Sequence, residues 1–147
     1  MTFGELVEGL GAKLGVEIED AGGAVAFEID GENVVLHLAD EDLVLVRADL
    51  GEIPPDRRDA LAPAALEANF LYKGTGGATL AVNPVDTHLH LQKYNWLGRL
   101  DVDKALDMLS RFAETAVAWK RIASDAAAAA PEAPPQADFL YGGVIQV

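Results

Sequence analysis

Two histidines separated by one residue are the side chains with the most obvious chemical potential in this sequence. The segment Thr87-His88-Leu89-His90-Leu91 places His88 and His90 on one face of a strand, since successive strand side chains alternate. Asp86 precedes them, and a His-x-His pair can bind zinc. A third protein ligand is not evident, because His37 belongs to another unit of the chain. We therefore interpret the pair as ordinary histidines on a solvated strand face, and we predict neither a metal site nor a cofactor.

A glycine-rich segment, Gly74-Thr75-Gly76-Gly77, has the composition of a phosphate-binding loop. It lacks the Lys-Ser/Thr pair that follows the glycines in such loops. It also precedes a predicted strand, so no helix N-terminus is available to receive an anion. We interpret the segment as a tight turn that uses the conformational freedom of glycine.

The sequence also gives little indication of catalytic acids or nucleophiles. Asp101, Asp103 and Asp107 lie at the start of a predicted helix, where Asp101 serves as the N-cap and the acids complement the helix dipole. The two serines, Ser110 and Ser124, both lie within that helix, and no nucleophile elbow is present. Cysteine is absent, which excludes thiolate zinc sites, disulfides and cysteine nucleophiles. These residues therefore give no support to serine or cysteine hydrolysis.

The composition predicts an acidic globular domain. The 147 residues are 50% hydrophobic and carry a formal net charge of −13. Residues 1–60 contain 15 acids and 4 bases, so the acidic field belongs to the first half of the fold. Such a charge disfavours nucleic acid and anionic membranes as partners. Without a Sec-type signal pattern or an apolar stretch that could span a bilayer, we expect a cytoplasmic location and no membrane insertion.

Hydrophobic periodicity predicts the order α-β-β-β-α-β-β-α. The first helix, over 2–14, has a Thr2/Glu5 capping box, a stop at Gly15 and one apolar stripe: Phe3, Leu6, Val7, Leu10 and Leu14. Alternating residues in 25–29 and 34–38 flank the turn Asp30-Gly31, and the strand 43–48 is apolar on both faces, as expected for a central strand.

The second half repeats the alternation of helix and strand. A helix is predicted over 56–72, with Pro63 either starting or kinking it. Strands over 78–82 and 87–94 form a second hairpin, and a long helix runs from near Asp101 to about Ala130. The predicted fold class is α+β, an antiparallel sheet packed with helices.

The last residues differ in composition from this domain, which we assign to 1–126. Residues 127–147 contain a linker with Pro131, Pro134 and Pro135, followed by an apolar tail over 139–147. Free apolar segments of this kind favour aggregation. We therefore expect the tail to lie extended on an apolar groove or sheet edge, of its own subunit or of a neighbour.

Residues 65–84 resemble the central signature of the Tir-chaperone (CesT) family of class I type III secretion chaperones. The segment runs Ala-Leu-Glu-Ala-Asn-Phe-Leu-Tyr-Lys-Gly-Thr-Gly-Gly-Ala-Thr-Leu-Ala-Val-Asn-Pro, a helix ending in Ala-Asn, a glycine-rich turn and a short strand. The stripes of the first and last helices also fit, so the resemblance covers roughly residues 2–122. It implies a non-enzymatic homodimer that keeps the extended, unfolded N-terminal segment of a secreted effector soluble and competent for export.

The same resemblance implies roles for particular residues. Partner contacts are expected from the first helix and the meander, at Phe3, Leu6, Leu10, Val25, Phe27, Val34 and Leu36. Dimerisation is expected through the second helix and the strand after it, at Leu61, Ala65, Leu66, Asn69, Phe70, Thr79, Leu80 and Ala81. Two alternatives stay open at this point: a small metal-dependent enzyme that uses Asp86, His88 and His90, and a regulatory or adaptor module of related fold that binds folded partners.

Overall fold

The computed structural model describes residues 1–124, in which three α-helices and five strands follow the predicted order. The elements are α1 (Phe3–Leu14), β1 (Ala24–Ile29), β2 (Glu32–Asp40), β3 (Leu43–Glu52), α2 (Arg58–Asn69), β4 (Thr79–Val82), β5 (His88–Trp96) and α3 (Val102–Ser124). Short 3-10 turns occupy Pro55–Arg57, Phe70–Tyr72 and Leu97–Arg99. None of the helices in residues 1–124 is both long and apolar enough to cross a membrane.

Local signals set the two ends of α1. The Thr2 amide donates to the Glu5 carboxylate at 2.6 Å, and the Glu5 amide donates to the Thr2 hydroxyl at 3.2 Å, so the predicted capping box forms. Gly15 ends the helix with a φ of 70°, a left-handed conformation that costs glycine little.

All strands pair antiparallel in a single sheet with the order β1-β2-β3-β5-β4. Asp30 and Gly31, with φ values of 52° and 79°, form the turn between β1 and β2. The predicted central strand, β3, lies in the middle of the sheet. In the part of the chain that the structure describes, β1 and β4 are consequently the two edge strands.

The core lies between one face of the sheet and the helices. α3 packs across β2 and β3, and α1 packs against α3, while α2 packs against β4. Val34, Leu36 and Trp119 are fully buried there. The opposite face of the sheet is more open, since Ala26, Arg47 and Tyr94 are exposed.

The second helix differs from the prediction of one helix over 56–72. A 3-10 turn precedes α2, and the chain leaves the helix after Asn69, because Leu71 and Tyr72 adopt φ values of 55° and 57°. Pro63 lies inside α2 and does not start it. The side chain of Asn69 holds this end of the helix on the sheet: its amide donates to Leu80 O at 3.0 Å and its carbonyl accepts from Leu80 N at 2.8 Å.

The start of α3 matches the prediction, because the Asp101 carboxylate accepts the amide of Lys104 at 2.8 Å. The predicted end near Ala130, the domain boundary at 126 and the placement of the apolar tail all lie outside the described residues.

Candidate functional site

The free edge of β1 is the first component of the candidate site. The amide of Leu38 donates to Gly23 O, and Val25, Phe27 and Ile29 continue the same register against β2. In an antiparallel pair, alternate residues bond to the neighbouring strand and those between them point their amides away. The backbone groups of Ala26 and Glu28 therefore face away from β2, where an additional strand can pair with them.

A groove of ≈ 1040 Å³ runs along this edge. The inner side is formed by Val25 and Phe27 of β1 and by Leu106 and Leu109 of α3, and residues 14–21 form its other wall. Val25, Phe27 and Leu109 are buried in the core, so they give the groove a rigid apolar base.

The wall of residues 14–21 is shaped by the chain that leaves α1. The amide of Val16 bonds to Gly11 O at 3.0 Å, and the carboxylate of Asp20 accepts the amide of Gly23. Leu14 and Val16 remain 48% and 54% exposed beside the groove. Two apolar side chains are thus available to a ligand without any rearrangement of the core.

The groove is acidic at its rim. Its lining within residues 1–124 includes Glu17, Glu19, Glu28 and Asp30 but no lysine or arginine. A ligand segment with apolar side chains facing inward and basic side chains at the rim would complement both properties.

A second exposed surface lies on α2 and the turn that follows it. Leu66 is 71% exposed and Phe70 58% exposed, and Leu71 and Tyr72 continue this apolar surface. Beside it, an apolar cavity of ≈ 290 Å³ lies among residues of α2, the second hairpin and the chain after β3: Ile53, Arg58, Leu61, Ala62, Ala65, Val82, Thr87 and Leu89. Large exposed apolar side chains in one patch are typical of protein interfaces.

The structure divides the predicted site residues into core and surface. All seven predicted partner-binding residues are buried, and of these only Val25 and Phe27 line the groove: Phe3, Leu6, Leu10, Val25, Phe27, Val34 and Leu36. The side chains of the other five pack inside the subunit. Partner contact by these five residues stays a prediction. Among the predicted dimer residues, Leu66 and Phe70 are exposed and Leu61 and Leu80 are buried. The other four are half-buried: Ala65, Asn69, Thr79 and Ala81.

Sequence reasoning missed the wall of the groove. Val16 and Ile18 alternate with Glu17 and Glu19, a strand-like pattern that signalled an extended segment with one apolar side. Leu106 of α3 also lines the groove. No local signal distinguishes it from its core neighbours.

Of the two histidines, His88 is engaged in an ion pair on the open side of the sheet. Nδ1 of His88 lies 2.9 Å from the Asp49 carboxylate, and this hydrogen bond raises the pKa of His88. Burial opposes the charged form of Asp49, but the hydrogen bonds from Gly51 and His88 outweigh it and lower the pKa of Asp49. In residues 1–124, no three His, Asp or Glu side chains are grouped so that they could hold a metal ion. This arrangement does not favour the metal-enzyme alternative.

Comparison with known proteins gives a consistent family and fold. Residues 5–120 match the family model of the Tir chaperone protein (CesT) family. In sequence, no curated protein matches the chain.

Several solved structures share the fold. The Yersinia pestis type III secretion chaperone SycH, in complex with a stable fragment of YscM2, is 23% identical, with a TM-score of 0.64 over 79% of this chain and 98% of that one. The ExoU–SpcU heterodimeric complex from the type III secretion system of Pseudomonas aeruginosa is 17% identical, with a TM-score of 0.66 over 80% of this chain and 97% of that one. The ExsC–ExsE complex is 17% identical, with a TM-score of 0.65 over 81% of this chain and 91% of that one.

Proposed function

The chain belongs to the Tir chaperone protein (CesT) family, and we propose that it is a type III secretion chaperone that binds an extended segment of a secreted effector along β1. The observation that carries this proposal is the free edge of β1 beside an apolar groove. The similar structures include SycH with a fragment of YscM2, which supports a protein partner rather than a small molecule.

The binding mode follows from the geometry of the edge. An added strand pairs with the outward amide and carbonyl groups of Ala26 and Glu28, and this pairing is independent of the effector's sequence. Every second side chain of the added strand enters the groove against Phe27 and Leu106, which selects apolar residues at alternating positions. The segment is thereby held extended, and its apolar side chains are kept from water and from aggregation.

The proposed activity is binding without chemistry. The match is to a family of chaperones, and the groove presents apolar surface with a rim of carboxylates. We place this binding in the bacterial cytoplasm, where an effector waits before export. The chaperone acts as a homodimer through the exposed apolar surface of α2, in which Leu66 and Phe70 of each copy lie against the other.

The test uses two substitutions at one position of the edge. The tagged chain is purified from its source bacterium, the co-purifying protein is identified by mass spectrometry, and its protected segment is mapped by limited proteolysis. A synthetic peptide of that segment is then titrated against the wild type, Ala26→Pro and Ala26→Ser. Proline removes the outward N–H and is tolerated on edge strands, whereas serine keeps the donor.

We expect Ala26→Pro to weaken binding at least about fivefold, the equivalent of one hydrogen bond of about 1 kcal/mol, and Ala26→Ser to leave it near the wild-type value. Circular dichroism and urea unfolding check that both variants are folded. Equal affinity of the three proteins, or a partner that binds only in its folded form, would contradict the proposal.

A further inference from the structure

The face of the sheet opposite the helices carries an aromatic surface that is separate from the groove at β1. Side chains alternate along a strand, and Val44 of β3 is buried in the core, so Leu43 and Leu45 point away from the helices. Across the ladder they pair with Trp96 and Tyr94 of β5, which are each 56% exposed. We call these four residues the aromatic patch: Leu43, Leu45, Tyr94 and Trp96.

The aromatic patch has the properties of a binding surface on a rigid support. β3 and β5 each pair with a strand on both sides, so the backbone beneath the patch is held in the middle of the sheet. Tryptophan and tyrosine present a large apolar area at a small cost in conformational entropy, and they are enriched among the residues that contribute most to protein interfaces.

A cationic side chain lies one step along the same face. Arg47 follows Leu45 by two residues and pairs with Gln92 of β5, and its side chain is exposed. Among residues 1–124, its guanidinium forms no ion pair. Because a guanidinium and a carboxylate form the strongest side-chain hydrogen bonds, Arg47 favours a partner with an acidic residue at this point.

The surroundings of Arg47 favour a carboxylate further. A hollow of ≈ 320 Å³ lies beside it, and its lining within the described chain includes amide and imidazole side chains but no carboxylate: Arg47, Ala81, Val82, Asn83, His90 and Gln92. Both ring nitrogens of His90 are buried without a hydrogen-bond partner in residues 1–124. Unpaired polar groups of this kind favour an incoming acceptor.

The opposite end of the aromatic patch is acidic. The turn between β2 and β3 carries three consecutive acids, Asp40, Glu41 and Asp42. The carbonyl of Asp42 accepts the amide of Leu97 at 2.8 Å, which holds this turn beside the Trp96 end of β5. The surface is therefore negative at one end, apolar in the middle and positive at the other end.

The backbone of the sheet determines which kind of segment fits this surface. The amide and carbonyl groups of β3 and β5 are engaged in ladders on both sides, so the face offers no backbone partners to an extended chain. A segment that lies here must satisfy its own backbone hydrogen bonds, and an α-helix does so. The positive N-terminus of a helix suits the acidic turn, and its negative C-terminus suits Arg47.

The spacing of the contacts also matches a helix. Two residues along a strand span about 6.8 Å, and four residues along a helix span about 6.0 Å. A helix that runs along β5 can thus place its positions i, i+4 and i+8 over Trp96, Tyr94 and Arg47.

We propose that the aromatic patch and Arg47 form a docking site for an amphipathic helix of a second protein, distinct from the effector segment at β1. Apolar side chains at i and i+4 of the helix contact Trp96 and Tyr94, and Asp or Glu at i+8 pairs with Arg47. The groove favours basic residues and this face favours an acidic one, so the two ligands differ in charge and bind at the same time. The chain then links its effector to another protein.

The test begins with a phage-displayed library of helical peptides that is varied at positions i to i+8. The library is panned against the purified full chain and counter-selected against the double variant Tyr94→Ala/Trp96→Ala. We expect the enriched peptides to carry apolar residues at i and i+4 and an acid at i+8. Fluorescence anisotropy of one such peptide should show at least about tenfold weaker binding to Trp96→Ala. Urea unfolding should give an unchanged midpoint, because both aromatic side chains are exposed.

A charge exchange separates a direct contact from a structural role of Arg47. We expect Arg47→Glu to weaken binding of the peptide with Glu at i+8 at least about fivefold, and the same peptide with Lys at i+8 to recover that loss. Arg121→Glu is the matched control, since Arg121 is an exposed cation on α3. It should leave the affinity for both peptides unchanged.

Several results would overturn the proposal. The first is a library with no enrichment over the counter-selection, and the second is equal affinity of the wild type and Arg47→Glu for the acidic peptide. A lower mass of Trp96→Ala than of the wild type in light scattering would assign the face to a second copy of the chain. Displacement of the helical peptide by the effector would assign it to the effector itself.

This proposal and the proposed function fail separately. Equal effector affinity of the wild type, Ala26→Pro and Ala26→Ser would reject the site at β1 and leave the docked helix in place. Failure to enrich a helix would reject the docking site on the open face and leave the site at β1 in place.

Discussion

At the scale of single residues, the ion pair of His88 and Asp49 links β5 to β3 on the open face of the sheet. The pair is only partly shielded from solvent, with side-chain exposures of 32% and 50%. Such pairs contribute modestly to stability. Their contribution depends on pH, because both groups must be charged.

We predict that this pair stabilises the fold most in mildly acidic solution. The pKa of His88 is raised above its ordinary value of 6.5, so its contribution is complete below that value and is lost as pH rises through the folded pKa. The pKa of Asp49 is lowered from 3.8, so its contribution is lost as pH falls through its folded value. His88→Gln should therefore cost more stability in urea unfolding near pH 5.5 than near pH 8.5.

The control for this prediction is Asp49→Asn, followed by nuclear magnetic resonance titration of the histidines. The pKa of His88 should fall towards its ordinary value in Asp49→Asn, since the carboxylate that stabilises the imidazolium is gone. An unchanged pKa would show that the contact does not persist in solution.

Gly74 illustrates another single-residue requirement. A Cβ at this position would lie 2.7 Å from the Cβ of Ala68, and the carbonyl of Gly74 accepts the indole N–H of Trp119 at 2.8 Å. Gly76 and Gly77 adopt φ values of 60° and 85°. Gly74 therefore allows the close approach to Ala68, and Gly76 and Gly77 form the turn. Both roles agree with the interpretation of this segment as a tight turn.

At the scale of elements, α2 is the helix with the least buried surface, since only Leu61 and Ala68 are buried in it. Leu66 points to solvent, so a substitution there acts on association and not on the subunit core. We predict that Leu66→Asp raises the dimer dissociation constant at least about tenfold, because it places a carboxylate in an apolar interface. Light scattering over a range of concentrations measures the effect.

Val117→Asp is the matched control, because Val117 is an exposed apolar residue on α3. It should leave the mass unchanged, and circular dichroism should show native helix content in both variants. A wild-type protein that is monomeric at tens of micromolar, or a Leu66→Asp protein that stays dimeric, would reject the α2 interface.

At the scale of the whole molecule, the net charge of −13 acts on the rate of encounter more than on the strength of binding. The groove has an apolar base, so we predict that affinity for the effector peptide changes less than about tenfold between about 0.05 and about 0.5 M salt. The association rate should fall over the same range. Stopped-flow fluorescence and calorimetry separate the two quantities, and a near-complete loss of affinity would show that the acidic rim carries the binding.

The sequence by itself determined the order of the elements and several of their ends. The capping box of Thr2 and Glu5, the stop at Gly15 and the turn at Asp30-Gly31 depend on contacts among residues a few positions apart, so local patterns are sufficient to predict them. The family followed from the motif in residues 65–84, and the match over 5–120 confirmed it.

Only the tertiary structure decided which apolar residues are accessible. Phe3, Leu6 and Leu10 have the same periodicity as residues that line a surface, but they are buried because α1 packs against α3. Leu66, predicted at the dimer interface, is exposed because α2 covers only the edge at β4. Asn69, predicted at the interface, bonds to the backbone of Leu80.

The identity of the free edge was likewise beyond the sequence. β1 and β5 both alternate, but β5 pairs on two sides, whereas within residues 1–124 β1 pairs only with β2. The groove beside β1 then combines residues about 90 positions apart, such as Val16 and Leu106. Which chain segments meet is set by burial and loop closure over the whole fold, and no local pattern contains that information.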